Sequence, residues 1–526
     1  MAAEGMPFPR RWNGGTISTN LDVIWGMSAG EPRLRLGDGK MVGGPSKEVK
    51  LGSAQRDESH KIQETWRDLA RNVVIVMVIA ATTWALCAAM RSSIEVSSEF
   101  LFEPFSESAD EGTGKQAENE AEQEPGTGED RGGSGGWIWI VVGVLVAGGL
   151  ARGLILQIPS WRGAQGSGID QSLESFHQTY DDEDAETPSR YDKPTIVEAL
   201  RRVVMTVLTV GTGGSGGLEA PVVPIGECLG AGWAKLTKTK NPDDLRVYMM
   251  AGIAAAVATL LDAPFTAALF AAEIIYLDRI LYRTLIYSAL GAIVAYALNN
   301  HFLLFEPLFA APQRSHVYSM TEYAQVALVA LFCSAPAGLG VAFVFTWLKK
   351  LIQVVPSIAQ PLVGAAATGA IALVLWFGLG LEPQHVLGVG EKTLDQILHQ
   401  EGNPLLQVWW ILAILVVAKT FATGFTLMAG GSAGMLVPAM YLGGAMGALA
   451  HYVLIELGIP AGPDPALFMV AGIASALVAV AEVPLAAIAF VMEVFGAHFG
   501  PPAIVACVLT YLVAKRLRLY SEDNKS

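Results

Sequence analysis

The chain has 526 residues, of which 52% are hydrophobic and 16% are charged, and its mean hydropathy is +0.41. A soluble domain carries about 25% charged residues, so this composition excludes an ordinary soluble protein and predicts an integral membrane protein. The formal net charge of −14 resides in two polar segments, 103–130 and 181–192, which are typical of solvated loops. We expect no nucleic-acid partner.

The first part of the chain predicts orientation. Residues 1–69 are basic and lack an apolar region near the N-terminus, so we expect a cytoplasmic segment without a cleavable signal peptide. The first spans are predicted at about 70–92 and 137–157, since each is long enough to cross ~30 Å of hydrocarbon. The acidic loop 93–136 then lies outside, extracellular or periplasmic. The basic C-terminus predicts a cytoplasmic tail at 522–526, and the membrane is expected to be the plasma (inner) membrane.

One membrane-embedded signature occurs twice between residues 70 and 521. Gly-Gly-Ser-Gly-Gly-Leu-Glu-Ala-Pro at 213–221 returns as Gly-Gly-Ser-Ala-Gly-Met-Leu-Val-Pro at 430–438, and a gap-free match downstream pairs Glu273 with Glu493. The repeat halves are roughly 70–300 and 320–521. Paired segments interrupted by Gly and Pro predict a transporter site built from broken helices at the repeat interface.

Three glycine-flanked turns predict the charge of the substrate. The turns at Ser167, Glu219 and Met435 would each open a helix, whose first N–H groups and positive dipole end attract anions. A cation site would need convergent carboxylates, and the acids of the apolar segments are few and dispersed. The pattern therefore favours an anion site.

These motifs resemble those of the CLC family of chloride channels and proton/chloride exchangers. The resemblance rests on GSGID at 166–170, GLEAP at 217–221, GMLVP at 434–438 and LYS at 519–521. It implies an all-α integral membrane protein with a CLC-type inverted repeat of tilted and broken helices. It also implies a homodimer in which each subunit has its own pathway, and which pairs through residues 263–298 and 484–514.

The same resemblance assigns roles to individual residues. The hydroxyls of Ser167 and Tyr520 would bind chloride together with the backbone N–H groups of Met435 and Leu436. Tyr520 should stand at the start of a helix. Glu219 would be the gate, because its ionised carboxylate would occupy the outer anion position and leave it when protonated. We expect no metal or other cofactor and no enzymatic activity.

Several residues depart from the family pattern. Asp170 stands where the family has proline, so a carboxylate lies near the proposed anion site, and Leu218 replaces a basic residue beside the gate. Glu273 is a candidate for the proton path, but Ile274 follows it where exchangers usually have a second glutamate. The sequence leaves exchanger and channel open. It favours the exchanger slightly, because Glu219 is kept and no C-terminal regulatory domain follows residue 526.

Two other functions are alternatives to chloride transport: transport of a different anion and a membrane enzyme. A transporter of a different anion would need a polar cavity for a larger substrate, and a fluoride-selective relative would be expected to lack Ser167. A membrane enzyme would need paired catalytic groups, for which Asp262 and Glu482 are a symmetric acidic pair beside the Glu273 and Glu493 match. Their positions just before Pro264 and Pro484 indicate helix-start acids instead.

Overall fold

The computed structural model describes residues 66–118, 134–181, 195–276, 281–303, 309, 318–461 and 465–523. Helices dominate these ranges, and their only β-type pairing is one isolated bridge. The α-helices are α1 (Trp66–Glu118), α2 (Ser134–Ile155), α3 (Ile169–Asp181), α4 (Thr195–Thr206), α5 (Glu219–Leu236), α6 (Pro242–Leu261), α7 (Pro264–Tyr276), α8 (Tyr282–Phe302), α9 (Met320–Ala335), α10 (Val341–Ile352), α11 (Gln360–Leu379), α12 (Glu391–His399), α13 (Trp409–Met428), α14 (Leu436–Glu456), α15 (Ala466–Ala481), α16 (Pro484–Phe490) and α17 (Gly500–Asp523).

The helix order repeats. The segment α4 to α8 returns as α13 to α17, whereas the bounds of the two halves stay a prediction. Eight helical segments of the described chain are long and apolar enough to cross a membrane, whereas α7, α15 and α16 are shorter. Short helices need protein around them, because lipid cannot satisfy the backbone groups at their ends. The structure thus contains the broken helices that the Gly and Pro pattern predicts.

The most closely packed helices lie within each repeat. The apolar stretch of α6 that is long enough to cross a membrane is completely buried in the protein. α5 crosses α6 at Gly226 and Gly252, and a Cβ added to either glycine would overlap the backbone of the other helix. Gly443 and Gly472 form the same crossing between α14 and α15. Small residues let helix backbones approach closely, so these glycines bring the two repeats into matching arrangements.

The two symmetric acids end helices instead of starting them. Asp262 is the C-cap of α6 with φ 53°, and Glu482 is the C-cap of α15 with φ 61°. Both residues adopt the left-handed conformation that commonly terminates a helix. The prediction of helix-start acids was therefore wrong: the chain closes one helix at the acid and begins the next at the proline two residues later.

The first helix extends beyond the predicted span. α1 continues past residue 92 to Glu118, through the region predicted as the start of the outer loop. Leu101, Phe102 and Phe105 are buried in an apolar cluster with residues of α2 and α11. Their burial accounts for the longer helix, because these apolar side chains leave water by packing on the membrane bundle. The rest of the predicted loop, from residue 119 to 133, lies outside the described residues, as do residues 1–65 and 524–526.

Candidate anion site between the repeats

The two repeated glycine-rich turns pair with each other. The Gly217 N–H donates to the Gly434 carbonyl at 2.8 Å, and the Gly434 N–H donates to the Gly217 carbonyl at 2.6 Å. α5 begins at Glu219, just after the first turn, and α14 begins at Leu436, just after the second. The repeat interface therefore carries the starts of two helices from opposite halves of the chain.

Threonines of the second repeat hold the first turn. The Ser215 hydroxyl lies 2.9 Å from Thr423 Oγ1, and the Ser215 N–H donates to Thr426 Oγ1 at 3.2 Å. Both threonines lie in α13, and all three residues are buried. Each bond joins residues more than 200 positions apart, so the turn is fixed by the opposite repeat.

The first repeat holds the second turn in the same way. The Ser432 hydroxyl lies 2.9 Å from Thr206 Oγ1, and the Ser432 N–H donates to Thr209 Oγ1 at 3.0 Å. Here the buried Arg152 guanidinium also donates to Thr209 Oγ1 at 3.4 Å. It lies beside Gly431, where an added Cβ would come within 3.0 Å of Arg152 Nη1. The second turn thus has a buried cation beside it.

The predicted third turn lies against this region. The Gly166 N–H donates to the Gly431 carbonyl at 3.1 Å, and α3 begins at Ile169 directly after the turn. Ser167 is buried, and its Oγ has no hydrogen-bond partner among the described residues. Buried hydroxyls normally have a partner. Ser167 therefore has a hydroxyl able to donate to an anion, while Asp170 lies in the first turn of α3.

A buried arginine supports the Ser167 turn. Arg202 Nη1 donates to the Gly166 carbonyl at 2.9 Å, and Nη2 donates to the Gly163 carbonyl at 2.6 Å. The side chain lies under Gly168, where an added Cβ would reach within 2.5 Å of Arg202 Cζ. Arg202 lies outside the sequence motifs, so no role was predicted for it. In the structure its guanidinium binds carbonyls of the Ser167 turn.

A fourth glycine-rich turn, at Gly388–Gly390, was not predicted from the sequence. Lys419 Nζ donates to the Gly388 carbonyl at 2.9 Å and to the Val386 carbonyl at 3.1 Å. The Gly388 N–H donates to the Gly213 carbonyl at 3.3 Å, just as the Ser167 turn bonds the other repeated motif. Lys419 thus serves this turn as Arg202 serves the Ser167 turn. The available signal was the likeness of Gly-Val-Gly-Glu to Gly-Ser-Gly-Ile.

The Glu219 carboxyl lies at the N-terminus of α14. The residue is 2% exposed, and its carboxyl lies near the backbone N–H groups of Glu219 and Val437. A Cβ added to Gly217 would overlap Glu219 Oε2 and would lie 3.2 Å from Pro438 Cδ. Oε2 itself has no hydrogen-bond partner among the described residues. The carboxyl group is therefore seated between the two helix starts.

Met435 and Leu436 stand at the same helix start. Met435 is the N-cap of α14 and Leu436 is its first residue, and both are buried. The first N–H groups of a helix have no intrahelical acceptor and form its positive end. The structure therefore places both predicted backbone donors at the helix start where the Glu219 carboxyl lies.

A cavity of about 160 Å³ lies in front of Glu219. Arg91 and Glu95 of α1 line one part of it, and Glu391 and Lys392 of α12 line another. We call this cavity the vestibule. It contains both signs of charge next to the Glu219 carboxyl.

Glu273 and Glu493 have a reciprocal structural role. The Glu273 carboxyl accepts the backbone N–H groups of Leu485 and Ala486 at 2.9 and 2.7 Å, which caps the start of α16. The Glu493 carboxyl accepts those of Phe265 and Thr266 at 2.9 and 2.7 Å, which caps the start of α7. Both oxygens of Glu273 are thus occupied by donors of the other repeat. Its place on a proton path stays a prediction.

Tyr520 is not at a helix start. It lies near the end of α17, which runs without interruption from Gly500 to Asp523. The prediction of its position was therefore wrong, because no Gly or Pro after Pro502 interrupts the helix before the motif. Its side chain is outside the described residues, so its proposed contact with chloride remains a prediction.

The family model for voltage-gated chloride channels matches residues 143–515. The chain belongs to this family, the CLC family. It is accordingly a multi-pass integral membrane protein of an anion-transport family. The match covers the repeated turns, the Ser167 turn and most of α17.

Individual relatives agree with this assignment. A "Chloride/fluoride channel protein" of Pseudomonas syringae pv. tomato is 28% identical over 351 residues, which are 62% of this chain and 70% of the relative. The crystal structure of a CLC-type fluoride/proton antiporter covers 86% of this chain and 97% of its own, with a TM-score of 0.65 and 18% identity. The structure of a slow cyanobacterial Cl⁻/H⁺ antiporter covers 85% of this chain and 95% of its own, with a TM-score of 0.64 and 15% identity. Because both structures are less than 20% identical to this chain, the structural similarity shows the fold alone.

Proposed function

We propose that this protein carries chloride across the membrane in exchange for protons, with Glu219 as the gate. The observation that carries the proposal is the seat of the Glu219 carboxyl at the start of α14, beside the N–H groups assigned to the anion. A carboxylate and a chloride ion are both anions and both fit such a seat. The side chain and the transported ion therefore compete for one position.

The competition explains how protonation would open the path. Two anions at close range repel by several kcal/mol at an effective dielectric of ~20, so an ionised Glu219 excludes chloride from its seat. A protonated Glu219 loses this charge and with it the attraction of the positive end of α14. Acid on the vestibule side should therefore raise chloride flux.

The other proposed ligands of the anion are neutral donors, which suit a small anion that must be released as well as bound. Ser167 supplies a buried hydroxyl without a partner, and Met435 and Leu436 supply backbone N–H groups. These neutral donors bind an ion strongly enough to replace part of its water and weakly enough to release it. Arg152 and Arg202 lie behind the turns, where they stabilise the turns and make the region electropositive without contacting the ion.

A passive chloride channel is the second candidate. Ile274 occupies the position where exchangers usually have an internal glutamate, and it is buried at 7% exposure. Glu273 is engaged by two backbone donors. A channel needs no proton path from the opposite side, so this pair of observations favours uncoupled flow. The exchanger stays first because the titratable gate is retained.

Assembly and orientation complete the proposal. The subunits form a homodimer through the helices α7, α8, α16 and α17, which carry exposed apolar side chains including Ile286 at 66% and Leu512 at 56%. Each subunit transports by itself. The protein lies in the plasma membrane with both termini in the cytoplasm, and the vestibule faces outside because it lies at the end of α1 that leads to the predicted outer loop.

The test is a simultaneous measurement of chloride and proton flux in liposomes. Under a chloride gradient, the wild type should release chloride and move protons uphill, and a potassium gradient should not be dissipated. Glu219→Gln should carry chloride at a rate nearly independent of pH and should move no protons. Potassium loss without chloride movement would overturn the anion assignment.

Two controls separate the candidates. Chloride flux without proton movement in the wild type would favour the channel, whereas fluoride flux without chloride flux would favour a carrier of another anion. Asp395→Asn removes a carboxylate from α12, outside the vestibule lining, and should leave both fluxes unchanged. A Glu219→Gln protein with wild-type coupling would remove Glu219 from the mechanism.

A further inference from the structure

We propose that Glu391 is a second carboxyl of the gate, which acts through Glu219 by setting the external pH at which Glu219 takes up a proton. The inference rests on the proposed function and adds a residue to it. Glu391 is a positioning residue in this sense, because its charge acts on the gate across the vestibule and not on the transported ion.

The geometry of the vestibule brings the two acids together. Both Glu219 and Glu391 line the same 160 Å³ cavity. Glu219 is 2% exposed, and its Oε2 has no hydrogen-bond partner among the described residues. Two carboxylates facing one small cavity repel each other, so the pair binds its first proton more readily than an isolated carboxyl would.

The turn before Glu391 fixes its position. Gly390 precedes α12 with φ 101°, and Glu391 is the first residue of the helix. Lys419 holds the carbonyls of Gly388 and Val386 from behind. The turn is also bonded to the first repeated motif through Gly388 and Gly213. Glu391 is therefore held at a fixed place relative to the gate.

Two of the three cations near the pair, Arg91 and Lys419, have other partners. Arg91 of α1 lies 2.6 Å from Glu95 and also donates to the Leu260 carbonyl at 3.1 Å. Lys419 of α13 is engaged by the two carbonyls of the Gly388 turn. Lys392 of α12 lines the vestibule but is exposed.

These surroundings act on Glu391 in opposite directions. Burial raises the pKa of the Glu391 carboxyl, Arg91 and Lys419 lower it, and Glu95 raises it. Burial is the largest of these effects. Glu391 and Glu219 are thus expected to titrate as a coupled pair.

The experiment is an external-pH titration of chloride efflux from liposomes. Glu391→Gln removes the second negative charge, so an ionised Glu219 becomes easier to form and acid activation should shift to lower external pH by about one unit. Glu391→Ala should shift it in the same direction, and Glu391→Asp should keep the wild-type midpoint. The double variant Glu391→Gln/Glu219→Gln should match Glu219→Gln alone, because the effect passes through the gate.

The outcomes distinguish this inference from the proposed function. Asp395→Asn removes a charge from the same helix outside the vestibule lining and should leave the midpoint unchanged. A wild-type midpoint in folded Glu391→Gln and Glu391→Ala proteins that still carry acid-activated chloride flux would overturn the role of Glu391 alone. A midpoint shift that persists without the Glu219 carboxyl would overturn it as well. Absence of chloride flux in the wild type would overturn the proposed function.

Discussion

Gly217→Ala should open the gate without removing its carboxyl. Gly217 has no positive φ, so alanine fits its backbone, but the new Cβ would overlap Glu219 Oε2. Two further contacts, with Pro438 Cδ at 3.2 Å and Val437 N at 3.3 Å, need only small shifts. The flexible end of the Glu219 side chain is the part that can move. The carboxyl should therefore leave its seat.

The magnitude follows from the interaction with the helix start that is lost. A charge at a helix terminus is worth about 0.3–1 kcal/mol, and up to about 2 kcal/mol where it is partly buried, and each 1.4 kcal/mol corresponds to about a tenfold change in an equilibrium constant. Displacing the carboxyl from the start of α14 should therefore raise the open fraction by up to about tenfold at neutral pH. Flux in Gly217→Ala should approach that of Glu219→Gln.

The assay is chloride efflux from liposomes at external pH 7.5 and 5. The wild type should show a large ratio of flux at acid to flux at neutral pH, and Gly217→Ala should show a ratio near one. Gly143→Ala in α2 is the control, because its added Cβ meets no atom within 4 Å. A folded Gly217→Ala protein with the wild-type ratio would refute the seat of Glu219 described above.

Further predictions concern the support of the site. Glu273→Gln and Glu493→Gln should lower thermal stability in detergent by similar amounts, since each weakens two charge-assisted hydrogen bonds that cap one helix. Chloride flux per folded protein should persist, and a loss of flux in Glu273→Gln alone would indicate a transport role. Ser167→Ala should weaken chloride binding by about 0.5–1.5 kcal/mol, measured by calorimetry, and unchanged affinity would remove Ser167 from the site. Deletion of residues 107–132 should leave flux and dimerisation intact, and loss of folding would show that this region docks on the bundle. Ile286→Trp should give active monomers by size exclusion and flux; inactive but folded monomers would contradict independent pathways.

The sequence by itself determined the class of the fold, and Glu219 as the gate stays a prediction. Composition predicted a membrane protein, and the repeated motifs predicted helix-opening turns at Glu219 and Met435, because Gly and Pro at fixed offsets act locally on the backbone; the helices begin at Glu219 and Leu436. The order of motifs also predicted the family. These inferences needed no knowledge of contacts between distant residues.

The sequence erred where tertiary packing decides local structure. Asp262 and Glu482 end helices, because their left-handed conformation is set by the sharp turn between packed segments. Tyr520 lies within α17, which runs from Gly500 to Asp523. α1 likewise continues beyond residue 92 because Leu101 and Phe105 find buried positions in the bundle.

Only the tertiary structure decided which residues support the site. Arg152 and Lys419 are single basic residues in apolar helices and Arg202 follows Arg201 in α4, and nothing in their local sequence says which turn they contact. The reciprocal caps of Glu273 and Glu493 join opposite repeats and so depend on the packing of the halves. Glu391 and Glu219 line one cavity for the same reason. Each is the first residue of its helix, but the packing of one repeat against the other forms the cavity that both line.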